Sequence, residues 1–156
     1  MFSNLILSGG GIYLCSYIGC LQHLVKNKIV ILGDIKNIIG VSCGAILGLF
    51  ITIGYDIDEI FKIVERTEWS DLDENGDLFQ LIEVLGLNSG KKLIDLLSDI
   101  MEQKINVRDI TFKELEKITK KTLYIQATNL TKQSLETFSP TSTPDMSVIA
   151  AIRMSI

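Results

Sequence analysis

The sequence predicts a layered α/β domain with a largely parallel central sheet. Two consecutive segments, residues 5–28 and 35–53, each have the pattern of a short apolar strand, a glycine-containing turn and a helix. A further strand is predicted near residue 123, after several amphipathic helices. Strands that alternate with helices favour a parallel sheet, because parallel neighbours must be joined by crossover connections.

The first unit begins with the apolar run Leu5-Ile6-Leu7, and three glycines, Gly9, Gly10 and Gly11, follow it. Residues 12–28 carry apolar side chains at helical spacing and end in lysine and asparagine, which predicts a helix. The first residues carry neither a cluster of positive charges nor a small-residue cleavage signature. We therefore expect no signal peptide and a chain that begins inside the fold.

The second unit contains an uncharged stretch of 18 residues, 38–55. A strand at 35–41, a turn at Ser42 and a buried helix at 45–53 explain this stretch. The alternative is a membrane span, because the length is just sufficient and Gly40, Gly44 and Gly48 have the spacing found in packed membrane helices. The polar Ser42 and the lack of flanking Lys or Arg favour the buried strand, turn and helix.

The remaining segments predict a helical cover and the rest of the sheet. Amphipathic patterns predict helices at 56–67, 78–85, 91–104 and 111–118. The last of these begins with a capping box, in which Thr111 is followed by Glu114. Strands are predicted at 123–130 and 134–138, joined by a turn, and a final helix at 147–156. No linker or repeat interrupts residues 1–156, which we interpret as a single domain.

Composition excludes several classes of function. With 47% hydrophobic and 22% charged residues, the chain suits one globular domain with a core. Its net charge of −4 argues against a nucleic-acid partner. Cys15, Cys20 and Cys43 form no C-x-x-C pair, and there is a single histidine, so we expect no disulfide framework, no metal site and no cofactor. A reducing location is expected, either the cytoplasm or the periphery of an intracellular membrane, and not secretion.

The segment from Gly40 to Gly44 fits the pattern G-x-S-x-G. In this pattern the outer glycines allow a sharp turn from strand to helix and hold the serine exposed at the apex. The helix that follows directs its free N–H groups toward the oxygen of Ser42 and toward any oxyanion formed beside it. The pattern alone is weak, because glycine-rich buried helices also contain it by chance.

The glycine turn at residues 9–11 raises the significance of Ser42. Neighbouring parallel strands would place both turns at the same sheet edge, where open α/β folds bind ligands. The alternative is a tight loop with no chemical role. A dinucleotide site is a further alternative, but Leu14 stands where the third glycine of G-x-G-x-x-G would be, and Asp34 is the only nearby acid at a plausible distance.

The histidine content limits the catalytic base. The only histidine, His23, precedes Ser42, whereas the α/β-hydrolase order is serine, acid, histidine. His23 also lies in a predicted amphipathic helix, where a surface or packing role is typical. A nucleophilic Ser42 would therefore need a carboxylate as its base.

Several segments together resemble the amino-terminal core of patatin-like phospholipases. They are Leu5 to Ile12, Tyr17 to Leu21, Ile39 to Ile46, Tyr124 to Leu130 and Val148 to Ser155, in the expected order. The resemblance spans nearly the whole chain and implies a three-layer α/β/α domain. It also implies a serine–aspartate dyad, with the roles of the site residues as follows: Ser42 as nucleophile, Gly10, Gly11 and the N–H of Cys43 as oxyanion donors, and Gly9, Gly40 and Gly44 as motif glycines.

The chain departs from the family pattern in two places. Tyr13 and Leu14 replace a basic residue and a glycine, which bears on contact with a phosphate headgroup. The family's aspartate normally follows the helix that ends here at Ile156, in Asp-Gly-Gly or Asp-Gly-Ala, and neither motif occurs in the sequence. None of the aspartates 34, 77 and 145 substitutes by pattern. The resemblance therefore implies a domain truncated at its C-terminal end, inactive alone, whose truncated edge would favour self-association.

Two functions compete at this point. The first is a lipid acyl hydrolase that cleaves fatty acyl esters of membrane lipids or phospholipids through Ser42. The second is a non-catalytic lipid-binding or interaction domain on the same scaffold, favoured by Tyr13, Leu14 and the missing aspartate. The first predicts that a backbone nitrogen of Gly10 or Gly11 lies within roughly 6 Å of the Ser42 Oγ.

Overall fold

A computed structural model describes residues 2–67 and 90–156. Its sheet has four strands: β1 (Asn4–Leu7), β2 (Asn37–Val41), β3 (Thr122–Asn129) and β4 (Ser134–Phe138). They lie in the order β1-β2-β3-β4, with the first three parallel and β4 antiparallel to β3. This confirms the predicted α/β fold with its largely parallel sheet.

Six α-helices accompany the sheet in the described residues. Their bounds are α1 Leu14–Lys26, α2 Cys43–Thr52, α3 Ile57–Arg66, α4 Lys91–Ile105, α5 Phe112–Thr119 and α6 Val148–Ser155. The first begins two residues later than predicted, because residues 11–13 form a 3-10 turn. The predicted helix at 78–85 lies outside the described residues.

The uncharged stretch at 38–55 is divided as predicted. Its first residues belong to β2, Ser42 forms the turn, and α2 has only 10 residues. Within residues 2–67 and 90–156, no helix has both the length and the apolar character needed to cross a membrane. The apolar composition of this stretch therefore reflects burial inside the domain.

The core is built around α2, which packs against β1, β2 and β3, and the other described helices add buried side chains to it. Every residue of α2 is buried, and so are Ile38, Leu123 and Ile125 of the sheet. Strand side chains alternate between the two faces, so the neighbouring row of Ile6 and Ile39 points to the other side. That row is more open, and Ile6 is 73% exposed. The buried face is thus the one that carries α2, and α2 determines where Ser42 lies.

Candidate active site

Ser42 occupies the sharp turn between β2 and α2. Its backbone angles are φ 53° and ψ −127°, in the region that residues with a side chain rarely adopt. The Ser42 carbonyl accepts from the Ala45 N–H at 2.8 Å, which starts the first turn of α2. Ser42 therefore lies at the positive end of a helix whose first N–H groups have no partner within the helix.

The outer glycines of the motif are required by close backbone contacts. A Cβ at Gly40 would lie 2.5 Å from the Ala45 Cα and 2.7 Å from the Ala45 nitrogen. A Cβ at Gly44 would overlap the Leu7 carbonyl oxygen and lie 2.6 Å from the Ser8 carbonyl oxygen. Only glycine lets α2 approach β2 at one position and the end of β1 at the other.

The glycine-rich loop lies beside Ser42, at the carboxyl ends of β1 and β2. A Cβ at Gly9 would be 3.4 Å from the Cβ of Ser42, so the two segments are in contact there. Gly11 has φ 53° and opens the 3-10 turn, in which the Tyr13 N–H donates to the Gly10 carbonyl at 3.0 Å. Parallel pairing of Leu7 with Gly40 brings these turns together at one edge.

Tyr17 of α1 forms hydrogen bonds with the glycine-rich loop and with the residue before it. Its hydroxyl forms a hydrogen bond with the Ser8 Oγ at 2.7 Å and donates to the Gly9 carbonyl at 3.2 Å. A Cβ at Gly10 would lie 3.2 Å from the same hydroxyl oxygen. A side chain on α1 thus fixes the path of the loop before it reaches Gly11.

An apolar cavity of about 400 Å³ opens beside Ser42. Apart from Ser42 itself, its walls are formed by apolar side chains, by two cysteines and by the backbone of Gly11. The lining residues are Gly11, Ile12, Leu14, Cys15, Ser42, Cys43, Ile46, Val64, Leu93 and Ile156. This cavity brings the serine turn, the glycine-rich loop and Cys43 together around a single space.

The replacements at Tyr13 and Leu14 have different surroundings. Leu14 is buried and contributes to the cavity wall, whereas Tyr13 is 65% exposed. The Leu14 side chain, whose bulk argues against a dinucleotide site, therefore makes the cavity more apolar. Sequence reasoning missed the role of Leu14 as a wall residue, although its apolar character at the start of α1 was a usable signal.

Two walls of the cavity come from α3 and α4, which an ion pair connects. The Lys104 Nζ of α4 donates to both carboxylate oxygens of Glu59 on α3, at 3.0 and 2.9 Å. This hydrogen bond, aided by one from the backbone N–H of Asp56, lowers the pKa of Glu59. Lys104 also lies 4.4 Å from the ring centre of Tyr55, whose pKa burial raises. The contacts join the helices that supply Val64 and Leu93.

Among the described residues, none of the other candidate acid–base side chains lines the cavity beside Ser42. His23 is exposed on α1 and its neighbour is Asn27, and it does not line the cavity. Asp34 precedes β2 and thus lies at the opposite end of that strand from Ser42, and Asp145 lies in the loop before α6. Asp77 falls outside the described residues. Within the described ranges, no three His, Cys, Asp or Glu side chains are grouped to hold a metal ion.

A further contact at the turn was not predicted. The Ser42 N–H donates to the Oγ of Ser155 at 2.8 Å, and that Oγ donates to the Gln126 carbonyl at 2.6 Å. The two serines are 113 residues apart in sequence, and no local pattern signals their contact.

Comparison with known proteins places this geometry in a family. The family model for patatin-like phospholipase matches residues 5–156. The chain is 37% identical over 155 residues to an uncharacterized protein of Acanthamoeba polyphaga mimivirus, covering 98% of this chain and 50% of that protein. It is 34% identical over 160 residues to a probable lipid hydrolase of Invertebrate iridescent virus 6, covering 99% and 52%. The chain thus spans about half the length of these curated relatives.

Solved structures share the fold at low sequence identity. VipD from Legionella pneumophila superposes with a TM-score of 0.68 at 20% identity, over 97% of this chain and 41% of that one. ExoU from Pseudomonas aeruginosa, solved in complex with SpcU, gives a TM-score of 0.65 at 17% identity, over 99% and 38%. The match of the family model to nearly the whole chain decides the assignment: this chain belongs to the patatin-like phospholipase family.

Proposed function

We propose that this chain is the serine-bearing part of a lipid acyl hydrolase of the phospholipase A or lysophospholipase type, with Ser42 as its nucleophile. The observation that carries the proposal is the position of Ser42, which combines a sparsely populated backbone conformation with positive φ and a place on the wall of an apolar cavity. Residues held in sparsely populated backbone conformations cluster at active sites, where surrounding structure maintains them. A serine that only connected a strand to a helix would not require this conformation.

In the proposed reaction, the Ser42 Oγ forms a bond to the ester carbonyl carbon while a base takes the hydroxyl proton. The carbonyl oxygen becomes an oxyanion, and the bond to the lipid alcohol then breaks. The departing alcohol receives the proton from the base, which leaves an acyl group on the serine. Water, deprotonated by the same base, then attacks the carbonyl carbon of the acyl-serine. The bond to the Ser42 Oγ breaks, the base returns the proton to that oxygen, and the fatty acid is released.

Backbone N–H groups beside Ser42 would stabilise the oxyanion. We assign this role to Gly10 and Gly11, with Cys43 as a third donor. Cys43 is the first residue of α2, so its N–H has no acceptor within the helix. Such donors contribute most in a site that excludes water, and the apolar walls of the cavity favour this condition.

The cavity would hold the acyl chain of the substrate. Its volume of about 400 Å³ lies within the usual range for small-molecule sites, and its walls offer apolar contacts. Leu14 and Ile46 would contact the chain close to Ser42. Tyr13, which replaces the family's basic residue, offers no positive charge for a phosphate headgroup, so we expect recognition to depend mainly on the acyl chain.

The base would be the dyad aspartate of the family. Residues 1–156 contain no Asp-Gly-Gly or Asp-Gly-Ala, so we propose that an aspartate outside this range takes the Ser42 proton. We further propose a reducing location, at or near an intracellular membrane surface. Three free cysteines, two of them exposed, are compatible with such a compartment.

Covalent labelling tests the nucleophile. Because the proposed base lies outside residues 1–156, this and every later labelling experiment uses a longer form that carries the Asp-Gly-Gly or Asp-Gly-Ala segment. In that form a fluorophosphonate is expected to modify Ser42, identified by mass spectrometry of the peptide, and the Ser42→Ala variant should not react. Ser134→Ala, on the exposed start of β4, is the matched control and should be labelled like the unmodified chain. Labelling that persists unchanged in Ser42→Ala would contradict the assignment.

Turnover tests the position of the base. We expect the 156-residue chain to hydrolyse short-chain and phospholipid esters very slowly, because losing one member of a catalytic unit costs several orders of magnitude in rate. A longer form that carries an Asp-Gly-Gly or Asp-Gly-Ala segment should be active. Robust turnover by residues 1–156 that vanishes in Ser42→Ala would show that the base lies within this range.

A non-catalytic lipid-binding domain is the second candidate. The replacement of the family's basic residue and glycine by Tyr13 and Leu14, together with the apolar cavity, favours it. This function predicts fatty-acid binding in the cavity without fluorophosphonate labelling of Ser42, even in the longer form. Binding and labelling measured on the same protein therefore separate the two functions.

A further inference from the structure

The hydroxyl of Ser155 bridges the serine turn and the neighbouring strand. It accepts from the Ser42 N–H at 2.8 Å and donates to the Gln126 carbonyl at 2.6 Å. Both distances are within the normal range for hydrogen bonds, and both hydrogen bonds are partly buried. The hydroxyl thus uses its donor and one acceptor position at the same time.

The bridge lies where the pairing of two parallel strands ends. Val41 is the last residue of β2 and pairs with Gln126 of β3. At the next residue, Ser42, the chain turns into α2, and the Ser42 N–H donates to the Ser155 Oγ. The Ser155 hydroxyl links the Ser42 N–H, just after β2, to the Gln126 carbonyl of β3. It thus connects the two chain segments one residue beyond their last strand pair.

The turn needs this kind of support because its conformation is unfavourable. Ser42 has a positive φ, and a residue with a side chain keeps such a backbone conformation only when surrounding contacts enforce it. Helix α6, which carries Ser155 at its end, packs against α2, α4 and β3. The hydroxyl is therefore presented from a helix that contacts α2, which follows the turn, and β3, which pairs with the strand before it.

We infer that Ser155 is a positioning residue for Ser42: its hydroxyl holds the backbone of the serine turn in the conformation that presents the Ser42 Oγ to the cavity. The inference rests on the proposed function for its catalytic consequence. The hydrogen bond to the Ser42 N–H does not depend on that function, so the two parts are tested separately.

The first measurement follows the Ser42 amide directly. Hydrogen exchange by NMR should show about tenfold faster exchange of the Ser42 N–H in Ser155→Ala, because the variant removes the hydroxyl oxygen that accepts from this N–H. Ser155→Thr keeps a hydroxyl and should restore slow exchange. Exchange of the Ser42 N–H in Ser155→Ala at the rate of the unmodified chain would overturn the inference.

The second measurement follows the reactivity of Ser42. Labelling by a short-chain fluorophosphonate should be about tenfold slower in Ser155→Ala and near normal in Ser155→Thr. The matched control is Ser147→Ala in the same helix, which removes the N-cap contact to Ala150 without touching the serine turn. If Ser147→Ala slows labelling as much as Ser155→Ala, the effect is one of helix stability and positioning by Ser155 is wrong.

The two measurements distinguish failure of the inference from failure of the proposed function. If the unmodified chain is not labelled at Ser42 even in the longer form, the nucleophile assignment fails, and the exchange data still decide whether Ser155 holds the turn. If labelling occurs and neither rate responds to Ser155→Ala, the nucleophile assignment stands and the positioning role is refuted.

Discussion

Replacing Gly44 with alanine tests the close approach of α2 to the end of β1, which brings Ser42 to the glycine-rich loop. The new Cβ would overlap the Leu7 carbonyl oxygen and lie 2.6 Å from the Ser8 carbonyl oxygen. Favourable contacts between non-bonded atoms lie near 3.5 Å, so the two backbones would have to separate by about 1 Å. Both contacts are with backbone atoms, and no rotamer change can relieve them.

The expected loss of stability follows from two opposing effects. Alanine is favoured over glycine in a helix by up to about 1 kcal/mol. Overpacking in a core costs about 1–3 kcal/mol, and the rigid contacts at position 44 justify the upper end of this range. We therefore expect Gly44→Ala to lower the free energy of unfolding by about 2 kcal/mol, which corresponds to a fall in Tm of roughly 4–8 °C at this chain length.

Urea unfolding followed by circular dichroism measures this change. The matched control is Gly19→Ala in α1, where a Cβ would have no heavy atom within 4 Å, so that variant should be more stable by up to about 1 kcal/mol. Fluorophosphonate labelling of Ser42 should also slow in Gly44→Ala, because the loop and the serine move apart. Gly44→Ala with the stability of the unmodified chain, alongside a stabilised Gly19→Ala, would refute the close approach.

Three further predictions concern the loop, the ion pair and the cavity. Tyr17→Phe removes the hydroxyl that bonds the glycine-rich loop, so we expect a loss of about 1 kcal/mol in urea unfolding and slower labelling of Ser42. In the folded protein the pKa of Glu59 is lowered, so its ion pair contributes stability above pH 4.5, and this contribution is lost as the pH falls through the pKa of the folded state. Lys104→Met removes the main cause of the lowered pKa, so the free energy of unfolding should fall less steeply with decreasing pH in this variant. The pair is partly exposed, so the difference in unfolding free energy should stay below about 1 kcal/mol. Leu93→Trp should slow labelling by a long-chain fluorophosphonate at least about tenfold and leave a short-chain reagent nearly unaffected, because each excluded methylene forfeits about 0.8 kcal/mol of burial.

Each of these variants has a control in an exposed part of the chain. Tyr13→Phe, Lys26→Met and Leu135→Trp should leave stability and labelling close to those of the unmodified chain, because all three side chains are exposed. Equal labelling of Tyr17→Phe and the unmodified chain would argue against the loop contact. An unchanged pH dependence of the free energy of unfolding in Lys104→Met, or equal slowing of both reagents by Leu93→Trp, would contradict the corresponding prediction.

The elements of the fold could be predicted because their signals are local. The capping box at Thr111 and Glu114 is present in the structure, with the Thr111 side chain accepting from the Glu114 N–H. The division of residues 38–55 into strand, turn and helix was also predicted correctly, because the polar Ser42 and its glycines interrupt the apolar run. The predicted start of α1 was two residues too early, because the 3-10 turn that begins at Gly11 leaves the same apolar pattern as a helix.

The surroundings of the site could be predicted only in part. Parallel pairing was enough to expect the two glycine turns at one sheet edge, since that follows from strand order alone. The contributions of Val64 and Leu93 to the cavity depend on how α3 and α4 pack, which their amphipathic patterns do not specify. Ser155 was missed for the same reason, because its partner lies far away in sequence.

The burial of α2 on all sides has a consequence during synthesis of the protein. About 70 residues separate the end of α2 at Thr52 from the start of β3 at Thr122, and β3 supplies part of its covering surface. At translation rates of about 5–20 residues per second, roughly 4–14 s pass between the synthesis of α2 and the synthesis of β3. During this interval a helix without a polar side is available to chaperones and to other nascent chains. The yield of folded protein should therefore respond to translation speed and chaperone supply.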